Sequence, residues 1–202
     1  MAEGILLIIS GPSGVGKGTV CRYLLKIRKA LKLSVSTTTR PPRPGEVEGK
    51  EYNFTTTSRF KEMVDQGSFL EWAVVHDHYY GTRWDMVKKL MDRGEDIILE
   101  IDIQGAEQVK NKAFEAVSIF LAPPSMEVLE KRIIGRGTED PEKINDRLKT
   151  AQREMEAYRD YDYLVVNDTV GKAASLIVSI IDAEKSKVSR GVRPPCWGGE
   201  SK

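Results

Sequence analysis

Four stretches of the chain are almost unbroken in apolar residues: ILLII (5–9), DIILEI (96–101), VSIFLA (117–122) and YLVVN (163–167). Runs of this length without alternation predict strands covered on both faces, as in a parallel sheet flanked by helices. Between them the apolar positions recur at helical spacing. Helices are predicted over GTVCRYLLKIRKAL (18–31), SRFKEMVDQG (58–67), RWDMVKKLMDRG (83–94, closed by Gly94), GAEQVKNK (105–112) and SMEVLEKRIIGR (125–136). Two more follow, DPEKINDRLKTAQREMEAYRDY (140–161, Asp140 as cap and Pro141 at the first position) and VGKAASLIVSIIDAEKSK (170–187). LSVST (33–37) and SFLEWAVVH (68–76) are expected as further strands. Strands and helices alternate, so the expected fold class is α/β with a parallel core. Residues 37–54, TTTRPPRPGEVEGKEYNF, break the alternation with three prolines, two glycines and several charges. A loop that long in a compact domain usually carries function. The tail, SRGVRPPCWGGESK (189–202), is expected to be disordered or loosely docked.

Composition narrows the function classes. With 202 residues and 40% hydrophobic content, one sizeable core forms without disulfides, with room for a small inserted lobe. The 31 basic residues nearly balance 30 acidic ones, so no overall field argues for nucleic acid or an anionic membrane as partner. Anion binding must be local. Cys21 and Cys196 form neither a metal spacing nor a disulfide framework, which suits a reducing compartment. The early apolar run is too short for a signal sequence or a membrane span, so a cytoplasmic location is expected.

The local site for an anion follows the first run. SGPSGVGKGTV (10–20) places Gly11, four residues, Gly16 and Lys17 in the G-x-x-x-x-G-K spacing of a P-loop, between a strand and a helix. Glycines let backbone N–H groups converge on phosphate oxygens, and the helix N-terminus favours negative charge. Gly11, Pro12, Ser13, Gly14, Val15, Gly16, Lys17, Gly18 and Thr19 are therefore candidate ATP-binding residues. One position departs from the pattern: Gly18 stands where a hydroxyl usually reaches Mg²⁺, and Thr19 comes one residue late. Thr19, water or a carboxylate elsewhere remain open as the means of holding the metal.

A P-loop leaves the phosphoryl acceptor undefined. Arg40 and Arg43 lie three apart across a stiff Pro-Pro, Tyr52 follows, and HYYGT (78–82) supplies Tyr80 and Thr82, so guanidinium forks and phenols can meet on a second phosphate. The segments SVSTTTRPPRPGEVEGKEYNF, FLEWA, YYGT, ILEIDIQG, FLAPPS, GRGTED and VVND, in this order and spacing, resemble the signature segments of guanylate kinases over about residues 4–187. The resemblance implies a P-loop NTPase-like parallel sheet flanked by helices, a GMP-binding lobe over about 35–85 and a helical lid over about 132–158. The core is then 4–34, 86–131 and 159–187, with a flexible tail at 188–202. It implies transfer of the γ-phosphoryl of Mg·ATP to GMP, giving ADP and GDP, in purine nucleotide metabolism. ATP and GMP are the substrates, dGMP and the oligomeric state being left open.

By the same resemblance Arg40, Arg43, Tyr52 and Tyr80 bind the GMP phosphate, while Ser36, Glu71, Thr82 and Asp102 surround the guanine. Guanine offers two adjacent donors that one carboxylate at Glu71 can accept, whereas adenine turns an acceptor nitrogen toward the same charge. Glu100 and Asp102 end an apolar strand, a position from which P-loop enzymes reach Mg²⁺ or its waters. The family pattern favours Asp102, with Thr19 the other metal candidate. Arg132, Arg136 and Arg147 fall on the lid over ATP, Arg132 and Arg136 on one face of the predicted helix, and Asn167 falls beside the adenine. The catalytic set implied is Lys17, Arg40, Arg132, Arg136, Arg147 and Asp102. His76 and His78 have no metal spacing and receive no role. Two other readings are a catalytically inactive guanylate-kinase-like module that binds phosphopeptides, and a kinase of another small phosphoester that makes no use of Glu71.

Overall fold

The computed structural model describes residues 4–75, 77–112, 115–135 and 141–190, with backbone only at 141–143. Along the chain the first elements are β1 (Leu6–Ser10), α1 (Lys17–Ile27), β2 (Leu31–Leu33), β3 (Thr37–Thr38), β4 (Asn53–Phe54), α2 (Thr57–Asp65), β5 (Phe69–Val75) and β6 (His78–Arg83). There follow α3 (Trp84–Met91), β7 (Asp96–Glu100), α4 (Ile103–Asn111), β8 (Val117–Ala122), α5 (Met126–Ile134), α6 (Pro141–Met155), a 3₁₀ turn (Glu156–Asp160), β9 (Tyr163–Val166) and α7 (Val170–Lys185).

The four apolar runs meet in one parallel five-stranded sheet, in the order β2-β7-β1-β8-β9. Their lack of alternation follows from burial on both faces. Leu7 and Ile9 of β1, Ile98 of β7 and Ile119 of β8 pack with α1, α5 and α7, while Leu6, Ile8, Ile97 and Leu99 pack with α3 and α4. β1 is central, so the loop leaving its carboxyl end sits where the connections diverge to either side, the usual ligand position of such sheets.

Residues 37–54, expected as a loop, contribute β3 and β4 to a second sheet of order β4-β3-β6-β5. The LSVST strand is divided. Leu31–Leu33 pairs with β7 in the main sheet and Thr37–Thr38 pairs with β6 in the second. Helix α1 accordingly stops at Ile27 rather than Leu31. Nothing in IRKAL breaks a helix; the gain from pairing Leu31 to Asp96 and Leu33 to Ile98 overrides propensity. Strand β6 was not expected, because HDH carries no glycine turn signal; Asp77 adopts φ 63 instead, a conformation Asp tolerates. The long helix expected over 140–161 is α6 followed by the 3₁₀ turn, and α5 ends at Ile134 instead of Arg136. Pro141 opens α6 as expected, while Asp140 lies outside the described residues.

The ladder between β5 and β6 shifts register between Phe69 and Glu71. At this irregularity Leu70 joins the main-sheet core, Phe69 stays in a small cluster with Phe60 and Met63, and Glu71 is buried. Helix α4 covers the free edge of β5 with side chains. The Gln108 amide accepts from Trp72 N–H (3.1 Å) and donates to Trp72 C=O (2.8 Å), and Lys112 Nζ donates to the carbonyls of Phe69 (2.8 Å) and Leu70 (2.6 Å). Of the segment expected to be loosely docked, Val188–Arg190 is a 3₁₀ turn tied down by Arg190 Nε on the buried Glu184 (3.1 Å).

Candidate active site

The glycine loop wraps as its spacing requires. Gly11, Gly14 and Gly16 have φ of 145°, 85° and 100°, and a Cβ at Gly11 would lie 2.2 Å from the carbonyl oxygen of Leu121. Lys17 opens α1 and folds back over the loop, Nζ donating to the Gly11 carbonyl (2.5 Å) and the Pro12 carbonyl (3.3 Å). Burial lowers its pKa against the opposing fields of Glu154, Glu100 and Asp102. The Val15 carbonyl accepts from Asn167 Nδ2 (2.8 Å) and Arg132 (3.2 Å), and Arg132 also donates to the Asn167 carbonyl (2.9 Å). Asn167 and Arg132 thus brace the loop from the ends of β9 and α5. A cavity of about 390 Å³ opens here, lined by Gly14, Val15, Gly16, Thr19, Arg132 and Asn167 among others. Asn167 is buried, and its Oδ1 has no hydrogen-bond partner among the described residues.

Helix α6 reaches the same loop from the other side. Glu154 Oε2 accepts from the Ser13 N–H (3.1 Å) and Arg147 donates to Ser13 Oγ (3.2 Å), with the buried Ala151 between them on the helix. A carboxylate and a guanidinium seven residues apart therefore flank one P-loop residue.

A second cleft, of about 370 Å³, runs from Lys17 to Arg40 and Arg43. Ser36, Tyr52, Tyr80, Glu71, Glu100 and Asp102 line it as well. Arg40 packs over the Tyr52 ring, its Cζ 5.3 Å from the centroid, and that ring meets Tyr80 edge-on at 5.9 Å. The guanidinium is already engaged: NH2 donates to both oxygens of Glu46 (2.7 and 2.9 Å) and NH1 to the Pro41 carbonyl (2.7 Å). Glu71 pairs with Thr82 across the β5–β6 ladder. Its carboxyl is pushed up to about 7, chiefly by burial, with Thr82 hydrogen bonds pulling the other way and Asp102 adding to the rise. A Cβ at Gly105 would lie 2.8 Å from Glu71 Oε2, so any larger residue there would displace the Glu71 carboxylate. Asp102 caps α4 through the Gly105 N–H (2.7 Å). Glu100 ends β7 at the mouth of the cleft, its pKa raised because the surrounding walls displace water, against the pull of Lys17 and Arg22. A Cβ at Gly18 would lie 3.1 Å from Glu100 Oε1, so this carboxylate stands beside the hydroxyl-free position of the P-loop.

The two groups of candidates read from the sequence are thus joined at Lys17. The two metal candidates are not. Thr19 lines the cavity beside Asn167 and its Oγ1 accepts from Arg22 (3.3 Å), while Asp102 lines the other cleft. Arg136, His76 and Cys196 lie outside the described residues, and the helix expected to align Arg136 with Arg132 ends before it. His78 is in β6, away from both cavities' lining. Sequence reasoning missed Glu46 and Glu154. Glu46 sits in the same RPPRPGE turn as the two arginines and was legible as a carboxylate partner. Glu154 had no signal, since only the docking of α6 brings it to Ser13.

A parallel sheet with a glycine loop at its central strand, and across the cleft from the loop lysine a wall carrying two arginines, defines a P-loop nucleotide-binding fold. A sequence model of the guanylate kinase family matches residues 3–184. The chain is 53% identical over 188 residues to a guanylate kinase of Caldanaerobacter subterraneus subsp. tengcongensis, covering 93% of this chain and 91% of that one. It is 48% identical over 188 residues to a guanylate kinase of Clostridioides difficile, covering 93% and 92%. Among solved structures, a guanylate kinase from Anaplasma phagocytophilum superposes with a TM-score of 0.76 at 34% identity, over 94% of this chain and 90% of that one. The chain belongs to the guanylate kinase family.

Proposed function

We propose that the protein transfers the γ-phosphoryl group of ATP to the phosphate of GMP, giving ADP and GDP. The observation that carries this reading is the single cleft with Lys17 of the P-loop at one end and Arg40, Arg43, Tyr52 and Tyr80 at the other. A donor phosphate on the loop amides and an acceptor phosphate on the arginines then face each other without intervening structure. Glu71, buried beside Thr82, is placed to accept the N1–H and amine of guanine.

No general base is required. A phosphate monoester's second pKa is about 6, so the acceptor oxygen is ionised at neutral pH, and the residues' task is to align two anions and offset their repulsion. Lys17 and the loop amides take charge on the donor side. Arg147 enters beside Ser13, Arg132 holds the loop through Val15, and Asn167, with its unpartnered Oδ1, faces the adenine cavity. Arg136 completes the proposed lid set by family resemblance. The residues fit Mg²⁺, which usually takes one or two carboxylates, phosphates and several waters: two carboxylates, Glu100 and Asp102, line the cleft with Lys17. Glu100, beside Gly18, and Asp102 would hold it; Thr19 faces the other cavity. When bound, the metal neutralises charge on the phosphate oxygens.

We take the segments about 35–85 and 132–158 as the acceptor lobe and the lid. The buried thiol of Cys21 suits a cytoplasmic setting. Among the described residues no helix is long and apolar enough to cross a membrane. The test is ADP release from Mg·ATP with GMP, AMP, CMP and UMP offered in turn. Release with GMP alone, at least about 10²-fold above AMP in kcat/KM, is expected. Equal rates with all four, or none with GMP, would overturn the reading.

A further inference from the structure

We propose that Glu46 is a positioning residue of the acceptor-phosphate pocket, its carboxylate holding Arg40 and the Arg43 backbone so that the Arg40 fork meets the phosphate of GMP in a fixed orientation. The inference rests on the reading of this cleft as the acceptor site. Both carboxylate oxygens of Glu46 accept from Arg40 NH2, at 2.7 and 2.9 Å, and Oε2 also accepts from the Arg43 N–H at 2.8 Å. One carboxylate thereby ties the two ends of the Arg-Pro-Pro-Arg turn together. The pair is not a surface ion pair of little consequence, since the side chains are only 10% and 16% exposed.

The donor count favours orientation over competition. A guanidinium has five N–H groups. Glu46 and the Pro41 carbonyl occupy the two terminal nitrogens on one side of the fork, and the plane rests over Tyr52. The Tyr80 side chain is a further hydrogen-bond partner of the guanidinium on the cleft side, and the N–H groups not taken by Glu46 and Pro41 are the ones an incoming oxygen can share with it.

Charge gives the second argument. The cleft's three cations, Lys17, Arg40 and Arg43, face four carboxylates, Glu46, Glu71, Glu100 and Asp102. Its net field does little to attract a phosphate dianion, and Glu46 is one of the groups that weaken it. What Glu46 adds is preorganisation: an arginine loses considerable rotamer freedom when it is fixed, and here that loss precedes ligand binding.

The test is the affinity of the full-length protein for GMP and for guanosine, measured by calorimetry on wild type, Glu46→Gln and Glu46→Ala, with ADP affinity as the control for an intact P-loop. Guanosine shares the base and lacks the phosphate. Glu46→Ala is expected to weaken GMP by about tenfold or more, the scale of one charge-assisted hydrogen bond, while guanosine and ADP are unchanged. Glu46→Gln, which keeps an acceptor, should recover part of the loss, and in turnover the change should appear in KM for GMP rather than KM for ATP. Tighter GMP binding in either variant would make Glu46 a competitor of the phosphate and overturn the proposal. Equal weakening of GMP and guanosine, or no change in either, would overturn it too. If wild type itself binds GMP no better than guanosine, the acceptor-site reading fails instead.

Discussion

At the scale of single residues, the proposed reading of guanine by Glu71 makes base selection depend on the protonation of that carboxyl. Burial, the largest cause, pushes this carboxyl up to about 7. Only the ionised form offers guanine two acceptors, so the binding-competent fraction is high above pH 7 and falls about tenfold per unit below it. GMP's own phosphate adds a second fall only below about pH 6. The affinity for GMP, measured by calorimetry from pH 5.5 to 8.5, is expected to drop first near 7, and Glu71→Gln should abolish that upper step while leaving the lower one. The same variant should change selectivity. A Gln amide pairs one acceptor with one donor, which suits the N6 amine and N1 of adenine and mismatches guanine, so the GMP-to-AMP ratio of kcat/KM should fall by about 10²-fold or more. A ratio equal to wild type would remove Glu71 from base recognition. The sequence identified Glu71 through FLEWA, but its perturbed titration was not legible. That depends on the register shift at Leu70, the partner Thr82 across the hairpin, and the close approach of α4 at Gly105, none of which is local to the segment.

At the scale of elements, α6 carries its own anion into the phosphate loop. Glu154 accepts the Ser13 N–H and contributes the largest field raising the Lys17 pKa against burial, so nucleotide phosphates meet a carboxylate near the group meant to receive them. Like charges a few ångströms apart cost roughly 1–4 kcal/mol depending on exposure. Arg147, two turns earlier, is attracted by the same phosphates. Glu154→Gln keeps the hydrogen bond to Ser13 and removes the charge, and should tighten ADP and ATP by several-fold; weaker binding would mean that Glu154 supports the loop by its charge. The parallel strands were legible because their apolar runs are a direct consequence of two-sided burial. The ends of elements were less so. α1 stops at Ile27 for the sake of β2, and β6 escapes notice because Asp77 makes its turn without glycine. In both places a distant pairing decides what the local sequence leaves balanced.

At the scale of the whole molecule, two sheets present one cleft, and its openness sets a requirement. Arg43 and Glu100 are exposed at its margin, so water has access to the position where the γ-phosphoryl must cross. Phosphoryl transfer in such a site would lose ATP to hydrolysis unless the second sheet and α6 approach the core when both nucleotides are present. The attachments allow a defined motion. The second sheet joins the core through the chain crossings near Ser34–Ser36 and Arg83–Trp84, through Leu70, and through the Gln108 and Lys112 contacts of α4 along the edge of β5. α6 is held to the P-loop by polar bonds at Ser13 and to the core chiefly by Ala151 with Ile144 and Leu148. Small-angle scattering with ADP and GMP together is expected to give a smaller radius of gyration than the empty protein, with either ligand alone producing part of the change. Hydrolysis of ATP without GMP should stay at least about 10²-fold below turnover with it, because closure brings Lys17 toward Arg40 and Arg43, and those cations repel one another unless phosphates lie between them. An unchanged radius with both nucleotides bound, together with rapid hydrolysis in the absence of GMP, would mean that the cleft works open and that water is excluded by some other means.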